Sequence, residues 1–384
     1  MDLSLTEEQL MIQKAAREFA QQQCLPGVIE RDEHQKVPKE QLLQLADLGF
    51  MGIMTPAEYG GAGMDTISYV LAMEEISKVD SSVSVSVSVN NSLVCWGLEK
   101  YGNEAQKQKY LTPLAQGKKD GELYVGAFLL SEPEAGSDAT HQHTSAIDKG
   151  DHYVLNGVKN WITNGSTASV YLVMAQTDAS KGSRGINAFI VEKNTPGITV
   201  GPKENKMGIR GSDTHSISFM DVIVPKENRI GDDGFGFNFA MKTLNGGRIG
   251  IAAQALGIAS GAYELALAYS KERKSFGKPI HEHQAIQFKL AEMATRIETA
   301  RLLCYKAAWE KDNHMDYVMS AAMAKLHASD TAMWATTEAV QVHGGYGFVK
   351  EFHVERLMRD AKITQIYEGT SEIQKMVIGR SITR

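Results

Sequence analysis

Hydrophobic periodicity changes twice along this chain, and that change constrains the fold more than any single motif. From residue 3 to about residue 121 the pattern is helical. Thr6 and Gln9 are spaced as a capping box, and Ile12, Ala15, Ala16 and Phe19 make one apolar face. Pro26, Pro38 and the glycine-rich stretch 58–63 punctuate it. From about 122 to 231 short β-rich runs take over, at 124–128, 169–174, 187–191, 216–219 and 222–224. Asn156-Gly157, Asn164-Gly165 and Thr195-Pro196-Gly197 read as the turns between them. From about 232 to 384 helical patterns return over 248–270, 285–311 and 318–342. Blocks of one type, rather than alternating β and α units, predict an α+β protein that is mostly α. The expected domains are an N-terminal helical domain (1–121), a middle β-barrel or sandwich (122–231) and a C-terminal antiparallel bundle (232–384).

One segment resists a local reading. Ser81 to Val89 alternates serine and valine strictly, which is the strand signature, yet it lies inside the helical block with no partner strand in sight.

The 384 residues are enough for two or three domains with large cores. The net charge of -6 argues against a dedicated nucleic-acid binder, which needs a basic surface. Three scattered cysteines, Cys24, Cys95 and Cys304, fit a reducing compartment without a disulfide framework. No apolar run of bilayer-spanning length stands out, and the first residues lack the basic and apolar parts of a signal peptide. The expectation is a cytoplasmic protein without membrane insertion; a mature organellar form would look the same.

Several familiar chemistries are missing. No Gly-x-Gly-x-x-Gly follows a strand, no P-loop occurs, and there is no Gly-x-Ser-x-Gly elbow. His281-Glu282-His283 and His141-Gln142-His143 have no further ligands at metal spacing and read as solvated loop histidines. Five other constellations carry more. The stretch 130–138, Leu-Ser-Glu-Pro-Glu-Ala-Gly-Ser-Asp, is a surface loop or a nest of backbone N–H groups for a cofactor. In 159–165, Trp161 and Thr163 stand just before a turn, as core or as ligand contacts. Arg273-Lys274-Ser275-Phe276-Gly277 is a charged helix end or a phosphate site. Gln341 to Gly347 is a glycine-rich helix stop or a place where backbone approaches a flat ligand. Finally Glu368, in Ile366-Tyr367-Glu368-Gly369-Thr370-Ser371, sits on a bend before a helix that should start near Thr370 or Ser371, with Ser371 and Gln374 spaced as a capping box. Its carboxylate is either a helix-dipole partner or a base held on a rigid turn.

In this order, these motifs resemble the acyl-CoA dehydrogenase family from end to end, and most closely its short-chain, butyryl-CoA branch. Lys206 to Asp213, Asn245-Gly246-Gly247-Arg248 and His283-Gln284 fall in place as well. The resemblance implies an N-terminal helical domain, a middle β-domain and a C-terminal four-helix bundle. It turns the Ser-Val repeat into a helix, with Val85, Ser86, Val89, Leu93 and Ile251 lining an acyl pocket. It also implies FAD, which residue spacing alone does not reveal. Phe128, Leu130, Ser131, Gly136 and Ser137 would line the flavin, Trp161 would cover its ring, and Thr163 would contact the reactive edge. Thr370 and Glu372 belong to the same flavin set. Arg273, Ser275, Phe276, His283, Gln284, Gln341, Gly344 and Gly345 would hold the adenine and pyrophosphate end, partly from a neighbouring subunit, so a homotetramer is implied as a dimer of dimers. Ser137, Asn245, Arg248, Tyr367 and Gly369 would serve the acyl-CoA, and Glu368 would be the catalytic base. Some relatives place the base just before the arginine of the long helix; here that position is Gly247, which has no acid. The implied electron acceptor is an electron-transferring flavoprotein. A dehydrogenase for short branched acyl-CoAs, an oxidase and a low-turnover DNA-binding flavoprotein are the alternative readings, and the net charge speaks against the last.

Overall fold

The computed structural model describes residues 4–383; Met1 to Leu3 and Arg384, at the outer edges of the first and third regions, lie outside the described residues. The chain opens with α1 (Glu7–Phe19), whose Thr6–Gln9 capping box forms as expected. Among the further helices of the first region, α2 (Thr66–Ser77) and α3 (Ser81–Ser88) bear on the site.

The serine-valine segment is helical. Asp80 caps it by accepting from the backbone N–H groups of Ser82 and Val83 at 3.0 and 3.2 Å. Every residue of Ser81–Ser88 is buried, so no face is turned to water and alternation carries no directional information. The serines bond within the protein: Ser84 Oγ donates to the Ser81 carbonyl and Tyr69 Oη to Ser88 Oγ. The helix then widens into a π-helical turn over Val89–Cys95, where Asn90 and Asn91 bond neighbouring loops and strands through the carbonyls of Met51 and Phe50 and the N–H of Gly126.

The middle region is an eight-stranded sheet: β1 (Gly126–Leu129), β2 (Ser145–Asp148), β3 (His152–Thr163), β4 (Val170–Gln176), β5 (Ile186–Glu192), β6 (Ile198–Lys203), β7 (Thr214–Pro225) and β8 (Arg229–Ile230). Its order is β8-β5-β4-β2-β3-β7-β6, and β1 also pairs with β4, in parallel. Both β1 and the first residue of β2 pair with β4, at opposite ends, so the sheet branches there. Two local expectations need correction. Asn156-Gly157 is no turn but a bulge inside β3, whereas Trp161, at the second irregularity of that strand, does stand just before a turn, at 164–167. The runs 216–219 and 222–224 belong to one strand, β7. Bulges keep the ladder going where glycine and asparagine otherwise suggest a break.

The third region holds α4 (Gly236–Glu272), α5 (Gln284–Asp312), α6 (Val318–His343), α7 (His353–Ile363) and α8 (Ser371–Ile382). Helix α4 has the length and composition to cross a membrane, but 72% of its most apolar window is buried inside the protein. It is a core helix: its buried residues join those of α1, α2, α5, α6 and α7 in one continuous hydrophobic cluster. The two helical regions therefore share a core, and α2 lies close enough on α4 that a Cβ at Gly257 would stand 2.4 Å from the Glu74 carbonyl oxygen. A second cluster, containing Val89, Leu93, Leu130 and Phe239, joins this helical body to the sheet.

Candidate active site

Glu368 stands on the bend between α7 and α8. Its φ is 50° and that of Gly369 is 91°, two consecutive left-handed residues. Thr370 rather than Ser371 caps α8, its Oγ1 accepting from Ile373 N–H at 3.3 Å. The helix starts at Ser371, within the expected bounds, but Ser371 and Gln374 do not form a capping box, and Gln374 has a different task. Its Nε2 donates to the carbonyls of Gly369 (2.8 Å) and Glu368 (3.3 Å), which fixes the bend from the α8 side.

The Glu368 carboxyl is turned inward. Its Oε2 is sealed from solvent and has no hydrogen-bond partner among the described residues. Burial pushes its pKa up to about 7, against the opposing charges of Lys325 and Arg248. On α4, Gly247 makes room for it: a Cβ there would stand 2.1 Å from Oε2 and 2.8 Å from Leu93 Cδ2. Arg248, next along α4, is buried and donates to Asn245 Oδ1 at 2.7 Å. The hydroxyl of Tyr367 bonds Gln254 Oε1, and Gln254 Nε2 donates to the Ser81 carbonyl at 3.0 Å and to Ser84 Oγ at 3.2 Å. Glu368, Leu93, Arg248, Asn245, Tyr367 and Gly369 are thus brought together. Val85, Ser86, Val89 and Ile251 are buried in the neighbouring helices α3 and α4 and the π-helical turn.

The second group comes from the sheet. Trp161 has φ 61° and is 61% exposed, a large ring presented to solvent by a strand bulge. Thr163 follows at the end of β3, paired with Thr214. Phe128 stacks on Phe239 at 6.2 Å. The loop after β1 is tied to this strand: Asn160 N–H donates to the Ser131 carbonyl at 2.8 Å. Lys159, wholly buried, donates to the Leu130 carbonyl (3.0 Å), Gln142 Oε1 (3.0 Å) and Glu132 Oε1 (2.7 Å). Glu132 also accepts from the N–H groups of His143 and Thr144. Burial pulls the Lys159 pKa down to about 8; burial also pushes Glu132 up, but the lysine charge and these hydrogen bonds outweigh it and hold Glu132 below its ordinary value. Gly136 and Ser137 lie exposed at the tip of the same loop.

The remaining residues form a third group. Arg273 ends α4, 26 positions after Gly247, which is about 39 Å along a helix rising 1.5 Å per residue. Residues 274–279 make a hairpin whose turn residues Phe276 and Gly277 have φ 52° and 81°. Phe276 is 95% exposed. His283 Nε2 bonds the Ser275 carbonyl at 3.1 Å, and Gln284 begins α5. The Arg273 guanidinium lies over the Tyr346 ring at 5.6 Å, and Gly344 and Gly345 line the same surface groove of about 520 Å³. Gln341 is exposed at the end of α6; Thr370 and Glu372, at the start of α8, stay with Glu368. No group of histidines, cysteines and carboxylates among the described residues could hold a metal.

Sequence reasoning overlooked Lys325, Gln254 and the Lys159–Glu132 pair. Lys325 did leave a signal. It interrupts the stripe Ala321, Ala328, Ala332, Ala335, Ala339 at helical spacing, on the buried side of α6.

Three family models match in order: "Acyl-CoA dehydrogenase, N-terminal domain" over 6–118, the middle domain over 127–222 and the C-terminal domain over 234–383. A short-chain specific acyl-CoA dehydrogenase of Clostridium acetobutylicum is 51% identical over 384 residues, covering all of both chains. The structure of butyryl-CoA dehydrogenase from Megasphaera elsdenii is 50% identical with a TM-score of 0.97, again over all of both chains. A structure described as an electron transferring flavoprotein of Acidaminococcus fermentans is 51% identical, with a TM-score of 0.97 and the same complete coverage. The chain belongs to the acyl-CoA dehydrogenase family of flavin-dependent oxidoreductases.

Proposed function

We propose that this protein dehydrogenates a short-chain acyl-CoA of the butyryl type to the trans-2-enoyl-CoA, with Glu368 as the base and FAD as the cofactor. The observation that carries the reading is the Glu368 carboxyl: its Oε2 is sealed from solvent without a hydrogen-bond partner among the described residues, and it is held on a bend bonded from α8. An α-C–H next to a thioester is a feeble acid, so the base must be dry and aimed. A pKa of about 7 leaves a carboxylate available at neutral pH and makes it a stronger base than an exposed glutamate.

The residues fit the flavin. Trp161 offers a flat, exposed ring beside the Ser131 loop and Thr163, and a Cβ at Gly136, Gly344 or Gly345 would meet no atom of the chain within 4 Å. When bound, FAD supplies the acceptor for the hydride leaving the substrate β-carbon. Phe128, Leu130, Ser131, Trp161, Thr163 and Thr370 would hold its ring. Glu368 takes the α-proton on its carboxylate, while its backbone N–H and the N-terminus of α8 favour the negative charge that grows on the thioester oxygen. Asn245, Arg248 and Ser137 serve the substrate. The Arg273 group lies too far along α4 to share a dinucleotide with Glu368 of the same chain. That supports the reading in which Arg273, Ser275, Gln284, Gln341 and Gly345 complete the flavin site of a neighbouring subunit, in a dimer of dimers.

Leu93 is buried beside Gly247, Val89 is buried in the same π-helical turn, and no charged residue stands between Asp80 and Glu99. A short, saturated acyl chain suits such walls. The relatives named short-chain specific support the same length, and the Acidaminococcus structure supports an electron-transferring flavoprotein as acceptor. Two measurements test the reading. Glu368→Gln should retain FAD and lose turnover by orders of magnitude; near-normal activity would remove the base. Butyryl-CoA should exceed octanoyl-CoA in kcat/KM by about tenfold, or ~1.4 kcal/mol of differential transition-state binding, and Val89→Ala should narrow that gap. Octanoyl-CoA turned over as fast by the unaltered protein would defeat the short-chain assignment alone.

A further inference from the structure

We infer that Lys325 is a positioning residue for Glu368: from α6 its ammonium holds the carbonyl of Gly369 and sets a fixed positive charge against the carboxyl. The inference rests on the reading of Glu368 as the base.

Lys325 is 0% exposed. Its Nζ donates to Gly369 O at 2.7 Å, and that carbonyl is its one acceptor among the described residues. An ammonium so buried, with a single backbone acceptor, is costly unless negative charge lies close by. The acids that act on it are Glu368 first, then Asp330 on its own helix and Glu372 on α8. Asp330 is engaged by Gln365 Nε2 at 2.7 Å, and Glu372 is exposed. Arg248, on α4, is the other cation facing this point and works against the lysine. Toward Glu368 itself the charged neighbours are Lys325 and Arg248, and the hydroxyls of Tyr69 and Tyr367 feel its charge. Arg248 already bonds Asn245, which leaves Lys325 as the cation tied to the bend.

The geometry gives the lysine two effects at once. Gly369 O is held by two donors from different helices, Lys325 on α6 and Gln374 on α8, and this fixes the left-handed backbone that aims the carboxyl. The same cation makes the ionised carboxylate less unfavourable in a dry site. Burial brings the Lys325 pKa down to about 8, so the lysine remains charged where Glu368, near 7, begins to ionise.

The test uses the FAD-loaded enzyme with Lys325→Met and Lys325→Gln. The Glu368 carboxyl is titrated by difference infrared spectroscopy, its band identified as the one missing in Glu368→Gln, and kcat/KM is measured against pH in parallel. Loss of the cation should raise the titration midpoint by about one pH unit, leaving about tenfold less carboxylate at a given pH below it. FAD content should be retained. A lysine with only a structural role would change thermal stability or flavin content and leave the titration in place; an unmoved midpoint in either purified variant overturns the inference. Should the methionine variant not fold, the glutamine variant is read the same way. Activity surviving in Glu368→Gln would instead remove the base reading, a separate outcome.

Discussion

Replacing Gly247 by alanine should separate stability from activity. Gly247 lies inside α4, where alanine is favoured over glycine by about 1 kcal/mol. The added Cβ would stand 2.1 Å from Glu368 Oε2, 3.0 Å from its Cδ and 2.8 Å from Leu93 Cδ2. These are the ends of flexible side chains, so rotation can relieve the contact without moving backbone. An off-rotamer side chain costs about 0.5–1.5 kcal/mol, which offsets the helical gain. The melting temperature should therefore stay within about 4 °C of the unaltered protein. Function has no such tolerance. Reaching an ordinary van der Waals separation of about 3.5 Å carries the carboxylate oxygen roughly 1.4 Å away, and a misplacement of even about 1 Å costs about 10²-fold in rate. The assay is thermal unfolding together with kcat for butyryl-CoA and an artificial electron acceptor, at equal FAD content. Unchanged kcat would show that the carboxylate position beside Gly247 does not matter. A collapsed melting temperature would show that the scaffold, not the base, occupies the space.

Two other expectations follow from buried charge. The folded-state pKa of Glu368 is raised from 4.5 to about 7, so the stability conferred by its protonated form is fully present below pH 4.5 and is lost as pH rises through 7. At about 1.4 kcal/mol per pH unit the ionised form costs about 3 kcal/mol by pH 8, so Glu368→Gln should melt higher than the unaltered protein at pH 8 and alongside it at pH 4; equal melting at both would contradict the sealed carboxyl. Lys159→Met should strip Glu132 of its cation and destabilise by about 3–5 kcal/mol, with most of the loss recovered in Lys159→Met/Glu132→Gln. A single variant that melts like the parent would mean that the pair does not clamp the loop after β1 onto β3.

Long elements were legible because their periodicity is one-sided. The expected helices 285–311 and 318–342 match α5 and α6 closely, and α1 begins at its expected cap. Glu368 could be singled out because a carboxyl between apolar residues and a glycine, ahead of a helix start, is locally odd. Local pattern failed where burial or neighbours decide. The alternation over Ser81–Ser88 names a strand only if one face meets water, and here α4 and its neighbours cover every face. Asn156-Gly157 looks like a turn, but pairing with β7 carries β3 through it as a bulge.

The sequence by itself determined the order of helical and strand blocks, the family, and which carboxyl to suspect, because caps, periodicities and motifs are written in near neighbours. Only the tertiary structure decided what surrounds that carboxyl. The space at Gly247, the cation of Lys325 and the amide of Gln374 reach Glu368 from α4, α6 and α8, and the first two are far from it in sequence. A glutamate's pKa is set by what is packed around it in three dimensions, and no spacing along the chain records that packing.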